Sequence, residues 1–147
     1  MSISVSIQTA DFDVGAETAG LTGLDGVGAV ASFVGVVRGT DVLAMTLEHY
    51  PGMTERALAE ILQQAQQRWS LVAARVIHRV GRLLPGEHIV FVGVASSHRR
   101  EAFEACEFIM DFLKTRAPFW KKEETSQGAR WVEARQSDDA AAARWRP

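Results

Sequence analysis

Apolar and polar positions alternate over residues 3–8, which predicts a strand at the edge of a sheet with one side in water. Residues 11–28 are polar and contain several glycines, so a short helix and turns are expected there. The run 28–37, Gly-Ala-Val-Ala-Ser-Phe-Val-Gly-Val-Val, is mostly small and β-branched and reads as a buried strand. Arg38-Gly-Thr-Asp41 breaks it. Residues 45–50 form the next predicted strand and Pro51-Gly52 a turn. Residues 54–69 carry a helical repeat, capped by Thr54, with Ala57, Ile61, Leu62, Ala65 and Trp69 inward. Two further strands are expected at 72–80 and 88–95, separated by residues 82–87 with a Pro85-Gly86 turn.

A long helix is predicted from an N-cap at Ser96 or Ser97 to about Arg116, ending ahead of Pro118. Ala102, Phe103, Cys106, Ile109, Met110 and Leu113 share one arc, the expected core face. Arg100, Glu104, Glu107 and Asp111 lie opposite, and Lys114 sits at the border. Residues 119–123 and 130–135 are expected to pair across the 125–128 loop. The alanine-rich stretch 138–145 reads as a short helix or a flexible tail. Strands interleave with two main amphipathic helices, so the class is α+β or α/β.

A chain of 147 residues, 47% of them hydrophobic, suffices for one core, and a single domain over 1–147 is expected. Sixteen basic residues against 18 acidic ones leave a net charge of -2, which predicts no general attraction to nucleic acid or to an anionic membrane. Anion recognition must then be local. No apolar run approaches the roughly 20 residues that span a bilayer, and the N-terminus lacks a basic region followed by an apolar one. A lone cysteine excludes an intrachain disulfide. A cytoplasmic location is expected.

Local cation density is the feature that stands out. His98, Arg99 and Arg100 crowd the start of the long helix, where the macrodipole already places about half a positive charge and unpaired N–H groups, so a bound anion is needed to make them favourable. Lys114, Arg116, Lys121 and Lys122 crowd its other end beside Phe119 and Trp120. The four histidines, His49, His78, His88 and His98, lack zinc-site spacing, and no metal site is expected. His78 and His88 read as hydrogen-bonded strand histidines. Cys106, on the apolar arc, reads as core rather than nucleophile. Gly20, Gly23, Gly26 and Gly28 read as turn glycines, since no phosphate-loop pattern follows them. Lysine is left as the reactive candidate. Lys114 and Lys121 could be driven toward the neutral amine by apolar walls and like charges, or could stay charged and stabilise a developing oxyanion. Sequence leaves both readings open.

Several segments together resemble the large, catalytic subunit family of molybdopterin synthase. They are Phe33-Val-Gly-Val-Val-Arg38, Leu47-Glu-His-Tyr-Pro-Gly-Met-Thr54, Val76-Ile-His-Arg-Val-Gly81, Phe91-Val-Gly-Val-Ala-Ser-Ser-His-Arg99, Phe108-Ile-Met-Asp-Phe-Leu-Lys-Thr-Arg-Ala-Pro-Phe-Trp-Lys121 and Arg130-Trp-Val-Glu-Ala-Arg135. The resemblance implies an α/β hammerhead fold and a homodimer, with a small ubiquitin-like sulfur carrier docked at each outer end. The implied reaction converts cyclic pyranopterin monophosphate into the molybdopterin dithiolene, using sulfur held as a thiocarboxylate on the carrier's C-terminal glycine. No resident cofactor is implied.

Carried over position by position, the resemblance gives Arg38, His98 and Arg99 to the substrate phosphate and pterin, with Val36 and Val37 beside Arg38. It gives Lys114 to the carrier's terminal glycine, and lets Lys121 and Glu123 complete the pocket. Lys122, Phe33 and Arg135 are its expected neighbours. The rival expectation is a phosphate- or RNA-binding module without turnover, using Arg38, Arg99 and Lys121 with Trp120 stacking.

Overall fold

A computed structural model describes residues 2–132 and 136–145. Its elements run β1 (Ser2–Gln8), α1 (Val14–Thr22), β2 (Ala29–Val36), β3 (Ala44–His49), α2 (Met53–Arg68), β4 (Leu71–Arg79), β5 (Gly81–Leu83), β6 (His88–Ser96), α3 (Arg99–Arg116), β7 (Phe119–Thr125), β8 (Gly128–Val132) and α4 (Gln136–Ala143).

The continuous burial of residues 90–96 requires cover on both faces of β6, and β6 accordingly lies inside a sheet of order β1-β4-β6-β2. Its residues divide by strand alternation. Val90, Val92 and Val94 enter the main core with Leu62 of α2 and Ile109 of α3, while Phe91 and Ala95 meet Phe12 and Leu21 on the α1 side. Gly93 is forced by this packing, because a Cβ there would lie 2.5 Å from Leu21 Cδ1. A second sheet, of order β5-β3-β7-β8, closes a smaller cluster of Val37, Met45, Leu47 and Leu83. The architecture is the mixed α+β arrangement expected.

Several boundaries and faces differ from the sequence reading. The run read as a buried strand is the edge strand β2, with Phe33 and Val36 exposed, because β6 pairs on its other side with β4. The Pro85-Gly86 turn is present, but Arg82 and Leu83 before it belong to β5, which pairs with β3. Helix α2 is capped by Gly52, whose N–H donates to the Glu55 carboxylate at 2.9 Å, and Thr54 lies inside the first turn.

The core face of α3 is rotated from the predicted arc. Phe103 is 65% exposed, whereas Ala105, Phe108 and Phe112 are buried. Four elements cause this: α3 packs on β6 and β2 of the sheet, on α2 and on α4. The N-cap is His98, not Ser96 or Ser97, and its side chain makes no capping bond. Helix α4 covers part of the polar side of α3, where Trp145 donates to Asp111 and Arg144 pairs with Glu107 and Asp111. Among the described residues no helix is long and apolar enough to cross a membrane.

Ile109 of α3 is fully buried in the main core with side chains of α2 and the first sheet. Replacing Ile109 by Ala is expected to destabilise the fold by about 2–5 kcal/mol, read as a lower midpoint in urea unfolding with an unchanged slope.

Candidate active site

Strand β6 and helix α3 are joined by Ser97 and His98 and run in opposite directions, so the cations singled out in the sequence fall into two groups. His98 and Arg99 sit at the end of β6, both exposed. The backbone beneath them is held tightly. Gly28 N–H donates to Ser96 O at 2.9 Å, and the Ser97 hydroxyl donates to Gly26 O at 3.2 Å. Gly28 is needed for this close approach, since a Cβ would fall 2.1 Å from Ser97 O. The Ser96 hydroxyl is buried and donates to Ser70 O at 3.2 Å. None of these bonds engages the His98 imidazole or the Arg99 guanidinium.

Arg38 lies at the opposite end. Val36, two residues before it, pairs with His88, the first residue of β6. The Val37 N–H donates to Glu87 O at 3.0 Å and Val37 O accepts from Gly86 N–H at 2.9 Å. Glu87 is itself held by the buried Arg79, whose guanidinium also donates to His88 O and Thr9 O. Arg38 thus projects from backbone that is anchored on a pinned turn. At about 3.3 Å per residue, the nine residues of β6 separate Arg38 from His98 by roughly 26 Å. One small phosphate cannot touch both within a single chain.

Helix α3 returns the chain to the Arg38 end, carrying exposed Lys114 in its last turn. The chain then enters β7, where Lys121 lies opposite Leu47 and Glu123 opposite Met45. Leu47 and Met45 are buried against Val37, so Lys121 and Glu123 share the sheet face that carries the Val37 cluster. Glu123 approaches Arg130 at 3.8 Å. Lys122 alternates to the other face, opposite Trp131, with its ammonium 5.7 Å from the indole centroid. Phe33 and Val36 lie exposed along β2, and Arg135 is outside the described residues.

His78 packs on Phe119, which lies between the two lysines in the sequence. It is 5% exposed, its ring stacks on Phe119 at 3.8 Å, and its Nδ1 lies 2.8 Å from Arg79 O. That contact requires Nδ1 to carry the proton and donate. Burial, reinforced by the nearby Lys114 and His49 charges, pushes the imidazole down to about 4, so it is neutral near pH 7. Burial likewise pushes the Cys106 thiol up to about 12, which leaves no usable thiolate. No cluster of three metal-ligating side chains occurs among the described residues. The sequence reading recognised His78 as a structural histidine. It missed the buried Arg79 and the second partner of Thr54, whose contacts span long sequence separations.

Comparison with known proteins gives a consistent result. Residues 7–116 match the family model described as MoaE protein. The chain is 62% identical over 147 residues to the molybdopterin synthase catalytic subunit of Ralstonia nicotianae, covering 97% of this chain and 84% of that one. Among solved structures, the molybdopterin biosynthesis MoaE protein of Burkholderia ambifaria aligns with a TM-score of 0.85 at 56% identity, covering 97% of each chain. A complex of subunits 1 and 2 of molybdopterin-converting factor from Helicobacter pylori shares the fold, with a TM-score of 0.70 at 20% identity over 90% of this chain and 91% of that one.

The state of His78 makes stability depend on pH. Above the ordinary value of 6.5 both folded and unfolded chains hold it neutral, and between 6.5 and about 4 only the unfolded chain binds the proton. Stability is therefore expected to fall with decreasing pH across that window, by on the order of 3 kcal/mol in total. Urea unfolding of wild type and His78→Asn at a series of pH values checks this, since the difference between the two curves should shrink as pH falls.

Proposed function

The chain belongs to the MoaE protein family, and from that premise we propose that it is the catalytic subunit of a molybdopterin synthase, a sulfurtransferase of molybdenum cofactor biosynthesis. High identity to a catalytic subunit over nearly the whole chain carries this assignment. The rival reading, a phosphate- or RNA-binding module without turnover, has no support among the relatives. The name catalytic subunit implies a second component, which in this proposal is the small ubiquitin-like carrier bearing a C-terminal glycine thiocarboxylate. A cytoplasmic setting fits the lack of a membrane-crossing helix among the described residues.

In the proposed reaction the thiocarboxylate sulfur attacks a carbon of cyclic pyranopterin monophosphate and the cyclic phosphate opens. Water then cleaves the carrier from the product, releasing the carrier as a carboxylate. Lys114 meets the carrier's glycine, and Lys121, with Glu123, lines the pocket on the same end of the molecule. The buried thiol of Cys106 takes no part, which fits a reaction whose sulfur arrives from a partner. Lys122 serves at most from the opposite sheet face, beside Trp131.

The separation of Arg38 from His98 and Arg99 supports a homodimer with a shared pocket. A two-fold axis would bring the His98 end of one copy to the Arg38 end of the other, so that the substrate phosphate meets guanidinium groups from two chains. Phe33 and Val36, exposed on the β2 edge near Arg38, are suited to such a contact. With a carrier on each large subunit the assembly is a heterotetramer.

Lys114→Ala is expected to lower product formation by about a hundredfold to ten-thousandfold while circular dichroism and carrier binding stay unchanged. Wild-type turnover in that variant would remove Lys114 from the mechanism. A mixing experiment tests the shared pocket: Arg38→Ala and Arg99→Ala are each expected to be inactive. After subunit exchange their mixture should regain up to about a quarter of wild-type activity, since half the dimers would hold one intact site. No recovery would place the whole site within one chain.

A further inference from the structure

Lys114 and Lys121 belong to different elements, a helix and a strand, and their relative placement depends on the short junction that joins α3 to β7. Ala117 ends α3 and Phe119 opens β7, with Phe119 N–H donating back to Ala117 O at 2.9 Å. Pro118 between them has no N–H, so its carbonyl is the one backbone group through which it can be anchored. That carbonyl accepts a hydrogen bond of 3.0 Å from the hydroxyl of Thr54, a residue 64 positions earlier in the first turn of α2. Thr54 is fully buried, and its oxygen also accepts the Tyr50 N–H at 2.9 Å. One hydroxyl therefore ties the β3–α2 connection to the exit of α3. Phe119 is held from another side by the His78 ring and pairs with His49 in the sheet.

We infer that Thr54 is a positioning residue for the sulfur-transfer step, its buried hydroxyl fixing the angle at which the chain leaves Lys114 for Lys121 so that both ammonium groups reach one substrate. The inference rests on the reading that these two lysines serve the reaction. Removing the hydroxyl while keeping the side-chain volume leaves the Pro118 carbonyl and the Tyr50 N–H without their partner. The junction is then free to settle differently, and displacements of an ångström between reacting groups reduce rates steeply.

The test uses the complete synthase with its thiocarboxylated small subunit and the pterin substrate. Thr54→Val is expected to lower kcat by about ten- to a hundredfold with KM for the pterin changed by less than about twofold, and Thr54→Ser, which restores the hydroxyl, should recover most of kcat. Hydrogen exchange at the Phe119 N–H should quicken in Thr54→Val and stay slow in Thr54→Ser. Thr54→Ala removes the same hydroxyl without pressing a methyl group on the carbonyl, and it covers the case in which the valine variant folds poorly. Wild-type kcat per folded enzyme in Thr54→Val or Thr54→Ala overturns the inference, as does equal loss in Thr54→Ser. If Lys114→Ala and Lys121→Ala both turn over normally, the underlying reading falls and takes the inference with it. Loss in both lysine variants beside a fully active Thr54→Val sinks the inference alone.

Discussion

Strand β6 and helix α3 have matched lengths, and the distribution of charge follows from that match. Nine residues of strand at about 3.3 Å and eighteen of helix at about 1.5 Å each cover roughly the same distance. The helix therefore returns the chain to the level at which the strand began. Its first turn leaves His98 and Arg99 at one end of the sheet, and its last turn delivers Lys114 to the end where β2 gives way to Arg38. Lengthening or shortening either element by one turn would break this correspondence before it disturbed the core.

Buried polar groups hold the two ends in place. The described side chains of this kind are Thr54, His78, Arg79 and Ser96, and each is bonded to backbone, at Pro118 O, Arg79 O, His88 O and Ser70 O respectively. Ser96 lies under His98, Arg79 under the turn that anchors Val37, and Thr54 and His78 beside the junction between the lysines. A polar group removed from water must find a partner, so its presence in the core fixes a local geometry that apolar packing alone would leave loose. The apolar core accounts for most of the burial; the polar contacts account for where the chain ends up.

Much of this was legible in the residues. Alternation marked β1 as an edge strand, Pro118 marked the end of α3, and the order of the residues put cations at both ends of that helix. The edge position of β2 was not legible, because a run of small β-branched residues suits either place and the choice depends on partners far along the chain. Phe103 was misassigned because a helical wheel cannot register that α4, α2 and β6 approach α3 from three directions. The separation of Lys121 from Lys122 follows from a period of two, but which of them shares a face with the Val37 cluster depends on Met45 and Leu47 in β3. Thr54 carries a capping residue's chemistry in the right neighbourhood, and only the folded chain reveals that its partner is Pro118.

The seclusion of Cys106 within α3 has a chemical consequence for a protein that hosts activated sulfur. In the proposed reaction, a thioacid meeting an accessible thiolate could be diverted into acyl exchange with its host. Here the sole such group is locked away and protonated. The protein is a bystander to the element it moves, and the cargo keeps a single destination.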